Sequence, residues 1–250
     1  MSQFNKEQIY IVTGASSGLG KATALMLNEQ GATVVAIARN EQRLNELKNV
    51  CKYPENLHIE IKDLTDDIDN LPNYVKNLKE KYGKFSGMAY CAGITSILPI
   101  RSIDYQEANR VFDINYFSPL MMLKGIVDKR NNIGRGTSVV LISSIAASIN
   151  SKGETLYNSS KAAIISLVST VAKEYLGNEI RVNCVSPSMI ETPMTISSLE
   201  LPDYQDNTQS QYPFGFGEPN DVANVIAFLL SDKAKFISGQ NYIIDSGGVL

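Results

Sequence analysis

The stretch "IYIVTGASSGLGKATALMLNEQ", residues 9–30, decides the fold. It begins with a short apolar run rich in β-branched residues, passes through a turn with three glycines, and continues with apolar residues at helical spacing. A buried strand that leads through a glycine-rich turn into a helix is the first unit of a parallel α/β sheet. The sequence therefore predicts a strand, a turn and a helix in this order.

The same alternation continues along the chain. Further apolar runs predict strands at 33–38, 57–61, 85–91, 138–143, 180–186 and 241–245. Segments with helical spacing lie between the strands, at 19–30, 41–50, 71–82, 105–129, 155–176 and 221–230. Strands that are apolar throughout and alternate with helices indicate a parallel sheet covered on both faces. We predict an α/β, doubly wound Rossmann fold with seven parallel strands, formed by a single domain over residues 1–250.

Composition argues against several classes of function. The formal net charge of −3 argues against a nucleic-acid-binding surface, and no apolar run approaches the roughly 18 residues that span a bilayer. The chain enters a strand pattern almost at once, without the pattern of a secretory signal. Three cysteines without metal-like spacing fit a reducing compartment. We expect a cytoplasmic protein with neither nucleic acid nor membrane as partner.

The chain contains a single histidine, His58, which lies in a predicted strand. A site with several histidine ligands is therefore impossible, and we predict no metal site. Acid–base chemistry has to come from another type of residue.

The glycine-rich turn "TGASSGLG", residues 13–20, predicts a dinucleotide site. Gly14, Gly18 and Gly20 allow the backbone to approach a pyrophosphate closely. The helix that follows offers free N–H groups and the positive end of its dipole. The spacing is Gly-x3-Gly-x-Gly instead of the common GxGxxG, but its position between the first strand and the first helix supports the same function.

The turn and several later motifs resemble the single-domain branch of the short-chain dehydrogenase/reductase family over nearly the whole chain. The motifs are "TGASSGLG" at 13–20, "KDLT" at 62–65, "VFDINYFSP" at 111–119, "LISS" at 141–144, "YNSSK" at 157–161, "VSPSMIETPM" at 185–194 and "DSGG" at 245–248. The resemblance implies an enzyme that interconverts a carbonyl and a secondary alcohol with a nicotinamide cofactor. A small-molecule substrate is expected as its partner.

For cofactor binding, the resemblance implies a set of residues that follow the strands. In relatives, residues that match Asp63 and Leu64 lie at the adenine, and residues that match Pro187, Ile190 and Thr192 cradle the nicotinamide amide. The full implied set is Gly14, Ser16, Ser17, Gly18, Leu19, Gly20, Asp63, Leu64, Cys91, Ala92, Gly93, Tyr157, Lys161, Pro187, Ile190 and Thr192.

The chain departs from the family pattern at two places. Tyr90 and Cys91 replace two asparagines after the fourth strand, which removes both amide side chains. Ser188 replaces a glycine, which reduces the conformational freedom of that turn.

The end of the second strand bears on the choice between NAD(H) and NADP(H). An acidic residue there would bind the ribose 2′-hydroxyl and repel a 2′-phosphate. Ala38 occupies this position, and Arg39, whose guanidinium can hold a phosphate with two hydrogen bonds, follows it. A solvated arginine is the alternative interpretation. Because the acid is also missing, we predict a preference for NADP(H).

Ser144, Tyr157 and Lys161 form the predicted catalytic centre together with Asn115. Tyr157 and Lys161 are four positions apart, so they share one face of a helix, and Ser144 ends the fifth strand 13 positions before Tyr157. A free tyrosine titrates near pKa ~10, and we expect Lys161, the helix N-terminus and the oxidised nicotinamide to lower this value. Tyr157 is then the general acid/base and Ser144 holds the substrate oxygen. The resemblance implies that Lys161 also binds the nicotinamide ribose, and that Asn115 holds a water that relays protons to Lys161.

The motifs do not identify the substrate. Residues 188–216 are expected to form a substrate lid. The chain looks similar to 3-oxoacyl-acyl-carrier-protein reductases of the family, and Arg135 is suitably placed for an acidic carrier, but Asn178 and Glu179 stand where a basic residue is expected. A reductase of a small ketone or sugar-like compound is therefore favoured. A non-catalytic NADP(H)-binding sensor is the alternative from a different class. Analogy implies a homo-oligomer, a tetramer or dimer, formed through the helices at 105–129 and 155–176 and the last strand region.

Overall fold

The structure, a computed structural model, describes residues 3–149, 151–199 and 214–248. Seven parallel strands form one sheet in the order β3-β2-β1-β4-β5-β6-β7. Their bounds are β1 Ile9–Thr13, β2 Thr33–Ala38, β3 Leu57–Ile61, β4 Gly87–Tyr90, β5 Ser138–Ile142, β6 Arg181–Pro187 and β7 Asn241–Ile244. The predicted fold is confirmed. The strand order reverses between β1 and β4, and sheets of this kind bind their ligands at the carboxyl edge beside this point.

Helices cover both faces of the sheet. Their bounds are α1 Gly18–Glu29, α2 Glu41–Val50, α3 Leu71–Tyr82, α4 Tyr105–Phe112, α5 Ser118–Ile126, α6 Thr155–Glu174, α7 Pro193–Leu199 and α8 Pro219–Leu230. One core contains apolar residues of α1, α2 and α8, including Leu27, Leu44 and Ile226. The other contains residues of α3, α5 and α6. In the described ranges, no helix is long and apolar enough to cross a membrane.

The helix predicted at 105–129 is interrupted, and that prediction was wrong in this respect. A π-helical turn at Asp113–Phe117 separates α4 from α5, and the Ser118 N–H donates to the carbonyl of Asp113, five residues earlier. Pro119 lies in the first turn of α5 and has no N–H to donate, so a regular α-helical ladder cannot pass through this point. The wider turn changes the direction in which Asn115 points.

The segment after β6 contains a helix that periodicity did not predict. Helix α7 begins at Pro193, and Thr192 precedes it, accepting a hydrogen bond from the Thr195 N–H at 3.3 Å. A threonine cap followed by proline is a helix-start signal. Of the predicted lid at 188–216, residues 200–213 lie outside the described residues.

Gly87 provides a test of the sheet. A Cβ at this position would overlap the carbonyl oxygen of Ser138 on β5. We predict that Gly87→Ala lowers the free energy of unfolding by about 1–3 kcal/mol, because paired backbones have to move apart. Denaturant unfolding monitored by circular dichroism measures this change. Gly177→Ala is the matched control, since a Cβ there has no neighbour within 4 Å. Equal stability of the two variants would contradict the prediction.

Candidate functional site

The loops after β1 and β4 are held against each other by the Thr13 side chain and by the close approach of their backbones. The Thr13 hydroxyl is buried and accepts hydrogen bonds from the N–H groups of Cys91 and Ala92, both at 3.1 Å. Gly14 has φ +66°, and a Cβ there would lie 2.9 Å from the Ala92 nitrogen. Only glycine fits this approach. Thr13 was not among the predicted site residues, although it begins the glycine-rich motif.

The backbone of the glycine turn packs tightly against the first turn of α1. A Cβ at Gly20 would collide with the carbonyl oxygen of Gly14. Ser17, the residue before the helix, is extended and its side chain caps no helical N–H. The first N–H groups of α1 are therefore available to an anion at the helix N-terminus.

A cleft of about 360 Å³ lies along these loops at the carboxyl edge. The predicted residues that line it are Gly14, Ser16, Ser17, Gly18, Leu19, Gly20, Arg39, Asp63, Leu64, Cys91, Ala92, Gly93 and Thr192. Sequence reasoning missed other lining residues: Ile37, Lys62, Thr65, Ile94, Arg110 and Ile114. Pro193 and Met194, which belong to the predicted lid, also line the cleft. Ala38, which occupies the position of the acidic residue of NAD(H)-binding relatives, also lines the cleft. Tyr157, Lys161, Pro187 and Ile190 are not part of its lining.

At the β2–β3 end of the cleft, a cation and an anion face each other. Arg39 Nη1 lies 3.4 Å from Asp63 Oδ2, and the Arg39 side chain is 74% exposed. Burial raises the pKa of the Asp63 carboxyl, but hydrogen bonds from Thr65 and the charge of Arg39 outweigh burial and hold it below its usual value. Asp63 is therefore ionised at neutral pH.

The π-helical turn places Asn115 beneath the loop after β4. Its Oδ1 accepts the Ile94 N–H at 3.0 Å, and its Nδ2 donates to the Ile94 carbonyl at 2.9 Å and to Ser160 Oγ at 3.1 Å. A Cβ at Gly93 would lie 3.1 Å from this Oδ1. Asn115 thus links the β4 loop to α6.

The two serines at the end of β5 point in different directions. Ser143 is buried, and its hydroxyl donates to the carbonyl of Lys161 at 2.8 Å. Ser144 Oγ faces the Pro187 carbonyl at 3.5 Å and accepts the Ala146 N–H at 3.2 Å. Ser144, not Ser143, is hydrogen-bonded to the Tyr157 hydroxyl.

Tyr157 is a weaker acid than the sequence predicted. Burial raises the pKa of its hydroxyl to about 12, the hydrogen bond with Ser144 opposes this, and the Glu154 carboxylate adds to the rise. Lys161 is not among the groups that shift this pKa here, and the lowering expected from Lys161, the helix N-terminus and the oxidised nicotinamide together stays a prediction. In the described structure the phenol is protonated at neutral pH.

Lys161 is the buried cation of the site. Lys161 is only 4% exposed, and its Nζ donates a hydrogen bond to the carbonyl of Ile142 at 2.9 Å. Burial lowers its pKa to about 8, and Cys91 opposes this shift. The ammonium lies 5.7 Å from the centre of the Tyr157 ring. The two residues are neighbours on one face of α6.

The structure accommodates both departures from the family pattern. The Tyr90 hydroxyl donates to the carbonyl of Ile114 at 3.1 Å and so supports the π-helical turn. Burial raises the pKa of the Cys91 thiol to about 12, so it is protonated. Ser188 is not among the described residues with positive φ, and its N–H donates to the Ile244 carbonyl at 3.0 Å. No glycine is required there.

The remaining predicted residues lie at the end of β6 and in the loop that follows it; Thr192 lines the cleft, and Pro187 and Ile190 do not. Ile190 is 4% exposed and pairs with Gly217 in an isolated bridge. A Cβ at Gly18 would lie 3.3 Å from Thr192 Cγ2, so the β6 loop reaches the glycine turn. The carbonyl of Pro187 accepts a hydrogen bond from Ser144 Oγ at 3.5 Å.

Comparison with known proteins gives consistent matches. A family model described as "Enoyl-(Acyl carrier protein) reductase" matches residues 14–248. The chain is 35% identical to a 3-oxoacyl-[acyl-carrier-protein] reductase of Thermotoga maritima, covering 97% of this chain and 98% of that protein. It is 32% identical to L-xylulose reductase of Caenorhabditis elegans, covering 95% and 94%. A solved short-chain type dehydrogenase/reductase from Mycobacterium ulcerans superposes with a TM-score of 0.88 at 31% identity, covering 98% and 90%.

The low pKa of Lys161 has a measurable consequence. Its folded value of about 8 lies below the unfolded value near ~10.4, so between these values the unfolded state binds more protons. We predict that the free energy of unfolding of the wild type, minus that of Lys161→Met, increases as pH rises from 8 to 10. Taking the difference cancels titrations that both proteins share. A difference that stays constant would show that Lys161 keeps its ordinary pKa.

Proposed function

The chain belongs to the short-chain dehydrogenase/reductase family of oxidoreductases, and from this membership we propose that it is an NADP(H)-dependent enzyme that interconverts a carbonyl and a secondary alcohol. The observation that carries the proposal is the grouping of Tyr157, Ser144 and Lys161, in which a phenol hydrogen-bonded to Ser144 shares a helix face with a buried lysine. A phenol and a hydroxyl are suited to hold a carbonyl oxygen and to transfer one proton.

The residues present fit a dinucleotide. Gly14 and Gly20 leave no space for side chains where the backbone must come close, and the first turn of α1 offers N–H groups to a pyrophosphate. We propose that the predicted lining residues hold the cofactor, and that Pro187, Ile190 and Thr192 hold its nicotinamide end. The chemistry that a bound nicotinamide supplies is the transfer of a hydride to or from the substrate carbon.

The shifted pKa values of Tyr157 and Lys161 support a route for proton transfer. Tyr157, with a pKa of about 12, carries its proton at neutral pH and can donate it to a carbonyl oxygen that Ser144 holds. Lys161, with a pKa of about 8, is charged in most molecules at neutral pH and stabilises the phenolate that remains. In the reductive direction, this arrangement supplies the proton that the carbonyl oxygen needs at neutral pH. In the opposite direction Tyr157 would accept the alcohol proton.

Asn115 serves in this proposal as a positioning residue. Both hydrogens of its amide nitrogen are used by Ile94 and Ser160, and its oxygen holds the Ile94 N–H. These bonds fix the loop that carries Gly93 next to Lys161. Its role in holding a relay water stays a prediction.

For the substrate, we favour a small ketone or a sugar-like carbonyl compound. Arg135, the residue suited to meet an acidic carrier, is paired with Glu179 at 3.4 Å, so its charge is partly compensated. Reduction of a 3-oxoacyl group on a carrier protein is the alternative, and the similarity to the Thermotoga maritima protein favours it. Turnover of a carrier-bound 3-oxoacyl thioester well above that of small ketones would favour the alternative. One catalytic domain, a homo-oligomeric assembly and a cytoplasmic location stay predictions.

The acid–base proposal is tested by Tyr157→Phe. We predict that kcat for carbonyl reduction falls at least about 1000-fold, because the proton donor is lost, while the Kd for NADPH changes little. NADPH oxidation is followed at 340 nm with a panel of small ketones, sugar-like carbonyl compounds and a 3-oxoacyl thioester. Tyr175→Phe, at the end of the same helix, is the control and should retain activity. Turnover by Tyr157→Phe near the wild-type rate would end the proposal.

The cofactor preference is tested separately. We predict that the wild type has a higher kcat/KM for NADPH than for NADH, and that Arg39→Ala lowers only the NADPH value, by about tenfold or more, because Arg39 binds the 2′-phosphate. Arg39→Lys should retain part of the preference. Equal use of both cofactors by the wild type would contradict this prediction.

A further inference from the structure

A second cation, Lys62, lies beside Arg39 at the β2–β3 end of the cleft. Ala38 and Ile61 are partners in the register of the two strands, so Arg39 and Lys62 are the next residues on neighbouring strands. The Lys62 N–H donates to the Ala38 carbonyl at 3.0 Å, which continues the pairing by one step. Both Arg39 and Lys62 line the cleft. Two positive side chains therefore leave the sheet edge at adjacent points and border one cavity.

The two cations differ in what they contact. The Arg39 guanidinium is 3.4 Å from the ionised Asp63 carboxylate, which compensates part of its charge. The Lys62 ammonium donates to the backbone carbonyl of Asp66 at 2.9 Å, an acceptor without net charge. This second contact orients the ammonium without neutralising it. Arg39 must share its charge between Asp63 and any anion that enters, whereas Lys62 need not.

We propose that Lys62 is a second ligand of the cofactor's 2′-phosphate and a determinant of the preference for NADP(H). The inference rests on the proposed function, because it deepens the description of the same cofactor site. A phosphate monoester carries between one and two negative charges at neutral pH, and Asp63 already adds one negative charge nearby. Arg39 alone cannot compensate both. Lys62 supplies the missing positive charge, as a point charge on a flexible stem that reaches from the adjacent strand.

The proposal also states what Lys62 does not do. A ribose with a free 2′-hydroxyl gains little from an ammonium, because the hydroxyl has no charge to compensate. The effect of Lys62 must therefore appear only with ligands that carry the 2′-phosphate. It must also depend on salt, since it is a contact between charges at a solvent-accessible cleft.

The test compares two probes that differ only in the 2′-phosphate, namely 2′,5′-ADP and 5′-AMP. Their Kd values for the full chain are measured by isothermal titration calorimetry at low and moderate salt. We expect Lys62→Gln to weaken 2′,5′-ADP about tenfold and to leave 5′-AMP unchanged. Glutamine removes the positive charge while keeping a polar side chain with N–H donors. Lys62→Arg should retain the binding of 2′,5′-ADP.

Matched controls and alternative outcomes separate the inference from the proposed function. Lys52→Gln, which removes a lysine that does not line the cleft, should leave both Kd values unchanged. If the wild type prefers 2′,5′-ADP but Lys62→Gln keeps that preference, or if the variant weakens both probes equally, the role of Lys62 is overturned and the NADP(H) proposal stands. If the wild type binds both probes equally, the cofactor preference fails, and the inference fails with it. Circular dichroism of each variant verifies folding.

Discussion

The close packing of the loops after β1 and β4 is the contact on which the site depends. The Thr13 hydroxyl binds two successive N–H groups of the β4 loop, and the missing side chain of Gly14 lets that loop approach within van der Waals distance. One contact uses the Thr13 side chain and the other is an approach of two backbones; both lie at the point where the strand order reverses, so they fix the floor of the cleft. The α1 N-terminus lies on one side of this floor, and Gly93, Asn115 and Lys161 lie beneath the other side.

A second constraint is that Lys161 is buried, and none of its described contacts is with a carboxylate. The Lys161 ammonium is held by the Ile142 carbonyl and lies close to the Tyr157 ring. Taking a cation out of water is unfavourable, and the lowered pKa expresses that cost. A structural lysine would rarely be placed this way. The same burial that lowers stability leaves a positive charge next to a phenol, where it can stabilise a phenolate.

The fold could be predicted from sequence because its signals are local and repeated. Apolar runs, helical spacing and the glycine turn each predict an element, and the seven strands lie within one or two residues of their expected positions. The helix predicted at 105–129 failed because apolar spacing does not register the lost N–H of Pro119. Helix α7 was missed because it is short, although the Thr-Pro pair before it was a usable signal.

The structure brings the motif residues close together, but the electrostatics of the site could not be predicted from the sequence. Motifs identified Tyr157, Lys161, Ser144 and Asn115, yet the direction of the Tyr157 shift depends on burial, which spacing does not reveal. Lys62 was overlooked because its position at the cleft arises from strand register, and Thr13 because its role arises from a contact between two loops. Sequence position alone gave Lys62 no more weight than any other surface lysine.

The most direct measurement of the central claim follows the transferred atom. NADPH deuterated at the reactive ring position is incubated with the protein and a carbonyl compound that it turns over, and the alcohol is analysed by mass spectrometry. We predict one deuterium on the carbinol carbon in the wild-type product, and no product above background with Tyr157→Phe that still binds NADPH. Alcohol without deuterium, or labelled alcohol formed equally well by the Tyr157→Phe variant, would contradict the assignment of Tyr157 as the acid–base group of a hydride-transfer enzyme.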